Sequence, residues 1–151
     1  MVEGIKYTYV CVNGKEYLGI DMNTQNVKIT RSAELILEKC LKSVWGIDTC
    51  CPKNHARWNK ESNPWAGQCL VTALIVQDYF GGDLWYCKHY DHYWNKLEND
   101  LEIDLTINQF PPDFEPCFDC VKFRKTVLND KNLSLRYNIL RNLVDTYKGG
   151  L

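Results

Sequence analysis

The 151 residues are 45% hydrophobic, 13% aromatic and 25% charged, a make-up that suits one domain with its own core and argues against disorder. A formal net charge of -1 argues against nucleic acid or an anionic membrane as the main partner, since either needs a basic surface. No window reaches the roughly 18 apolar residues of a membrane span, and "MVEGIKYTYV" lacks the pattern of a signal peptide, so the expected location is cytoplasmic.

From the N-terminus, "IKYTYVCV" and "KEYLGI" flank Asn13-Gly14 and read as a β-hairpin. This hairpin, with a third short strand in "NVKIT", is expected to form an extension over residues 1–31, ahead of a core over 32–147 in the same single domain. Ser32 then caps a helix running to Val44, with Leu35, Ile36, Leu37, Cys40, Leu41 and Val44 as its apolar face. Residues 46–66 hold glycine and two prolines without a sustained period, which suggests a long loop that is functional or mobile.

The next helix begins around Cys69 and is apolar on nearly every side until Gln77 and Asp78, which places it in the middle of the domain. Gly81-Gly82 supply its C-cap. Three short strands follow, "DLWYCK", "HYWNKL" and "LEIDLT", the last two joined by a tight "ENDL" connection. Two further helices are expected over 120–128 and 133–147, the second turning Tyr137, Leu140, Leu143, Val144 and Tyr147 inward. These elements make an α+β fold, a central helix packed on an antiparallel β-sheet.

Cys69 stands in the first turn of the central helix, where the backbone dipole and unpaired N–H groups favour thiolate over thiol. A nucleophilic thiol also needs a base, and a third group to orient that base. Among His55, His89 and His92, the last opens an aromatic strand, and Asp104 follows on the neighbouring strand. Their even separation across a hairpin puts both side chains on one face, expected to be the face that the Cys69 helix covers. Asn95 then points the other way, in a structural role. Gln68 is a candidate second oxyanion donor beside the Cys69 N–H. The same residues also admit a plainer reading, with Cys69 in the core, His92 a hydrogen-bonded structural histidine and Asp104 a cap.

Four spaced motifs carry a resemblance: "TC-x-P" at 49–52, "NP-x-x-GQC-x-x-TAL-x-VQD-x-x-GG" at 63–82, "HYWN-x-L" at 92–97 and "E-x-DLT-x-x-QF" at 102–110. Together they resemble the YunG-like family of bacterial and phage proteins, over roughly residues 32–147. More distantly, "H-x-W" followed by "DLT" resembles strands of transglutaminase-like and arylamine N-acetyltransferase-like domains. That second resemblance implies a papain-like/transglutaminase-like core with Cys69 as nucleophile, His92 as base and then acid, and Asp104 as orienter. It points to a cysteine-dependent amide hydrolase or acyl-transfer enzyme of peptidase, amidase, deamidase or transglutaminase type. Its substrate would be a small-molecule or protein amide or ester, with no cofactor, though such a fold hosts many chemistries. The alternative is a non-catalytic binding or interaction module on the same scaffold.

The eight cysteines are expected to serve as thiols, catalytic groups or metal ligands rather than as a disulfide framework. Cys117 and Cys120 have the spacing of half a zinc site, which Cys51 and His55, with Cys50 beside them, would complete if the long loop approaches. This "CFDC" stretch, like the N-terminal hairpin, lies outside the YunG-like pattern. Cys11, Cys40 and Cys87 sit in apolar settings and read as core residues. Trp45, Trp58 and Trp65 either wall a substrate cleft or pin their loops to the core.

Overall fold

A computed structural model of the chain describes residues 9–12, 15–18 and 24–147, with side chains from residue 31 onward. Strands β1 (Tyr9–Val12) and β2 (Lys15–Leu18) pair antiparallel with Val12 opposite Lys15. The Asn13-Gly14 turn and the side chain of Cys11 lie outside the described residues. Helix α1 (Thr24–Val44) takes in the segment expected as a third strand, so Ser32 is interior to the helix and not its cap. The β-branched residues of "NVKIT" favour an extended chain only weakly. Downstream, Ala33, Leu37, Cys40 and Leu41 are fully buried at helical spacing, an apolar stripe that outweighs local propensity. Leu35 is on the solvent side of that stripe, 65% exposed.

Residues 46–66 are tied down rather than loose. Lys60 Nζ donates to the carbonyls of Lys42, Ser43 and Trp45 at 3.1, 2.9 and 3.0 Å, satisfying acceptors that the end of α1 leaves open. Trp45 is buried and its indole N–H donates to Thr72 Oγ1 at 2.9 Å, while that of Trp58 donates to Pro64 O at 3.1 Å.

Helix α2 (Cys69–Phe80) is buried continuously from Val71 to Val76 and again at Phe80. It needs no polar face because the sheet covers one side and the C-terminal helix (Lys131–Thr146) another. It ends at Gly81 and Gly82, whose φ values are 72° and 79°. A Cβ on Gly82 would stand 2.4 Å from Lys96 O, so only glycine lets the chain double back this tightly onto the sheet.

The sheet comprises β3 (Asp83–Cys87), β4 (His92–Lys96), β5 (Glu102–Ile103) and β6 (Cys120–Lys122), in the order β5-β4-β3-β6 with every pair antiparallel. The β4–β5 connection closes through Leu97 N–H to Leu101 O at 2.8 Å, with Asp100 at φ 66°. The helix expected over 120–128 is instead β6 followed by an extended Phe123 and the short helix α3 (Arg124–Val127). Pairing of Val121 with Trp85 decides this, and no local periodicity reveals a partner so far along the chain. Helix α4 (Lys131–Thr146) is capped by Asp130, whose Oδ1 accepts from Leu133 N–H at 2.9 Å. Leu140 and Val144 are buried as expected, Tyr137 and Tyr147 are half-buried, and Leu143 faces outward at 38% exposure. The result is a mixed α+β fold around a small four-stranded sheet. Among the described residues no helix is long and apolar enough to cross a membrane.

Candidate functional site

Strand β4 begins with His92, and β5 stops at Ile103, opposite Asn95. Period-two alternation then sends His92, Trp94 and Asp104 to one face. His92 Nε2 lies 2.6 Å from Asp104 Oδ2, while Asp104 Oδ1 accepts from Thr106 N–H at 3.2 Å and Thr106 Oγ1 at 3.4 Å. Both carboxylate oxygens are therefore engaged, and the local Asx-type turn fixes the one that meets the imidazole. The ring has no solvent exposure: it stacks with Trp94 at 5.8 Å between centroids and meets Phe110 edge-on at 4.9 Å.

That face is not the one α2 covers, contrary to the sequence expectation. Asn95, on the opposite face, donates from Nδ2 to Ala73 O within α2 at 2.9 Å. The thiol instead approaches at the end of the sheet. Cys69 Sγ is 3.9 Å from the carbonyl of Asp91, the residue before His92, which brings the thiol close enough to the imidazole to influence its charge. With Nε2 taken by Asp104, the other ring nitrogen, Nδ1, is buried and has no hydrogen-bond partner among the described residues. Burial pushes the His92 pKa down, but the Asp104 hydrogen bond and the nearby Asp104 and Cys69 groups outweigh it and raise it to about 9. Cys69 is the first residue of α2, so its backbone N–H has no acceptor within the helix and points out of the helix start.

Gly67 explains how the preceding loop reaches this point. Its φ is 70°, and a Cβ there would stand 2.5 Å from Cys50 Sγ and 2.8 Å from Asn54 Cβ. Its carbonyl accepts from Cys51 N–H at 2.8 Å, so the 50–54 turn is docked directly onto the approach to Cys69. Cys50 is buried, directs its thiol to Ala66 O at 3.2 Å, and has its pKa pushed up by burial to about 11. Gln68 is fully buried: Oε1 accepts from Thr49 Oγ1 at 2.8 Å and Nε2 donates to Gly46 O at 3.0 Å. Both ends of its amide are therefore engaged in bracing the loop, away from the free second-donor role expected of it.

A cleft of about 150 Å³ opens on the thiol, lined by Cys51, Asn54, Tyr93, Asp130 and Arg136 among others. Sequence reasoning missed these five as companions of Cys69. It also missed Asp91, held at φ 49° by a hydrogen bond from Tyr86 OH at 2.8 Å and an ion pair with Lys53. For Arg136 a signal existed, because it interrupts the buried stripe Leu133, Leu140 and Val144 on α4. Burial pushes the Tyr93 phenol upward, so it is a neutral hydroxyl. The three tryptophans do not line this cleft; Trp65 packs against the core with Lys42 Nζ 5.4 Å from its ring centre.

The residues weighed as a zinc site are not gathered. Cys51 and His55 sit in the loop before α2, the His55 ring bonded to Cys50 O at 3.2 Å, while Cys117 and Cys120 are exposed at the β6 edge. Among the described residues no three His, Cys, Asp or Glu side chains come together as metal ligands. Cys40 and Cys87 are buried as expected.

Fold and site together define a mixed α+β protein in which an imidazole and a carboxylate are hydrogen-bonded and a thiol lies close by, at one end of a small antiparallel sheet. Residues 34–149 match the family model of the YunG protein, and the chain belongs to the YunG family. A 64-residue stretch is 37% identical to the "Uncharacterized protein YunG" of Bacillus subtilis (strain 168), covering 41% of this chain and 54% of that protein. The match thus spans about half the length of the curated relative. No solved structure matches the chain. The matching family is the one the spaced motifs resemble, and the papain-like resemblance gains no support from these matches.

Proposed function

We propose that the protein is a cysteine-dependent amide hydrolase or acyl-transfer enzyme on a papain-like core, with Cys69 as nucleophile, His92 as base and acid, and Asp104 as the group that orients the ring. The observation that carries this reading is the division of labour on His92: Nε2 is held by Asp104 at 2.6 Å, and Nδ1 is left for the thiol. A carboxylate on Nε2 fixes a proton on that nitrogen and favours a second on Nδ1, so the proton of Cys69 rests on Nδ1 and leaves a thiolate beside an imidazolium.

The chemistry follows from these positions. His92 takes the thiol proton, and the sulfur attacks the carbonyl carbon of an amide, ester or thioester. The C–S bond forms as the carbonyl π-electrons move to oxygen, and the Cys69 backbone N–H donates to that oxyanion at the helix start. The oxyanion collapses, the bond to the leaving amine, alcohol or thiol breaks, and the imidazolium protonates the departing atom. The acyl thioester is then attacked by water or an amine whose proton His92 accepts; the second oxyanion collapses, the C–S bond breaks, and the sulfur leaves as thiolate beside the imidazolium. Phe110 and Trp94 keep water from the ring. Small-molecule or protein amides and esters are the substrates in this reading, and neither nucleic acid nor membrane is a partner.

Activated esters test it. With p-nitrophenyl acetate the protein should release a burst of about one p-nitrophenolate per chain and carry one acetyl group on Cys69 by peptide mass spectrometry. Absence of acetyl-Cys69, or an undiminished burst in Cys69→Ser, would sink the reading.

A further inference from the structure

Arg136 is a buried guanidinium at 9% exposure that lines the same cleft as Cys69. Its Nε donates to Asn132 Oδ1 at 2.7 Å and its Nη1 reaches Thr49 O at 3.5 Å, a long contact; Nη2 has no partner, and no carboxylate pairs with it among the described residues. Of the other charges around the cleft, Lys53 is paired with Asp91, and Asp130, which keeps its negative charge at the cleft, uses Oδ1 to cap α4 and forms no ion pair with Arg136. A buried charge without a counter-ion is costly, and the cost is relieved when an anion arrives. A cavity of about 150 Å³ takes a group about the size of benzene. Guanidinium is the side chain best shaped to grip a carboxylate through parallel N–H groups.

We propose that Arg136 is a specificity-determining residue that binds a carboxylate on the substrate, so that the acyl compound attacked by Cys69 carries an anionic group within a few atoms of its reacting carbonyl. This rests on the thiol chemistry proposed above and names the substrate class for it. A short acyl group ending in a carboxylate, or a peptide end placed beside the thiol, fits both the volume and the charge.

Paired alkylating agents test it without knowledge of the natural substrate. Iodoacetate and iodoacetamide deliver the same carbon to sulfur and differ in one charge. The ratio of their rates at Cys69, read by peptide mass spectrometry, cancels changes in the thiol itself. The proposal expects this ratio to fall by about tenfold in Arg136→Gln, the size of one charge-assisted hydrogen bond, with Arg136→Lys in between. A ratio unchanged in Arg136→Gln overturns it. Should both variants fail to fold, protection of the parent decides: acetate at fixed ionic strength should slow iodoacetamide at Cys69 where acetamide does not, and equal protection overturns the proposal. Dependence of the iodoacetamide rate on His92 tests the thiol chemistry separately, so failure of either idea is distinguishable from failure of the other.

Discussion

His92 and Asp104 meet at 2.6 Å although they come from elements of unequal length, the histidine heading β4 and the aspartate lying one residue past the end of β5. Their hydrogen bond, with the contribution of Cys69, holds the imidazolium to about pH 9 against an ordinary value of 6.5. A pKa raised on folding contributes stability that is complete below the unfolded value and disappears as pH rises through the folded one. Asp104→Asn should therefore be less stable than the parent by about 2 kcal/mol at pH 6, with the difference shrinking between pH 6.5 and pH 9. Urea unfolding across that range checks this; a gap that widens with pH contradicts it.

Gly67 and Gly46 make a contrasting pair. Gly67→Ala forces a side chain into a positive-φ backbone and against Cys50 Sγ, and should cost about 1–3 kcal/mol. Nothing lies within 4 Å of a Cβ on Gly46, so Gly46→Ala should stay within about 0.5 kcal/mol. Thermal unfolding of the two variants side by side tests the docking of the 50–54 turn, and equal losses would refute it.

The brace between Gln68 and Thr49 is separable from chemistry. Gln68→Ala and Thr49→Val should each cost about 1–3 kcal/mol, and the double variant should fall short of their sum by about 1 kcal/mol because both delete one buried bond. Strict additivity of unfolding free energies would show that the bond contributes nothing.

Much of this site was legible in the chain itself. The apolar run before Gly81-Gly82 marked α2, and the parity of positions 92 and 104 put histidine and aspartate on one face. The covering of that face was not legible, because which side of a sheet a helix chooses is set by tertiary packing, here by Asn95 bonding Ala73 O. For the same reason β6 was missed, since its identity depends on pairing with β3. The extent of α1 was misjudged where β-branched residues suggested a strand. Arg136 could have been singled out as a charge on the inward stripe of α4, but only the fold brings it beside Cys69.

Cys50 and Cys69 differ in what surrounds them, and labelling should show it. Cys50, buried and with its pKa raised to about 11, should resist iodoacetamide at pH 7 until urea unfolds the chain, whereas the exposed Cys117 and Cys120 should react in the folded state. Quantitative peptide mass spectrometry over a urea series measures this, and prompt labelling of Cys50 in the folded protein would contradict the docked turn.

The central claim is that Cys69 and His92 act as a pair, and the pH dependence of Cys69 alkylation tests it most directly. At pH 6.5 an ordinary thiol is only about 1% thiolate. The account predicts that Cys69 then reacts with iodoacetamide faster than Cys117 and Cys120, and about tenfold more slowly once His92→Ala removes the imidazolium. If Cys69 reacts no faster than the exposed thiols, or at the same rate in His92→Ala, the pair does not exist.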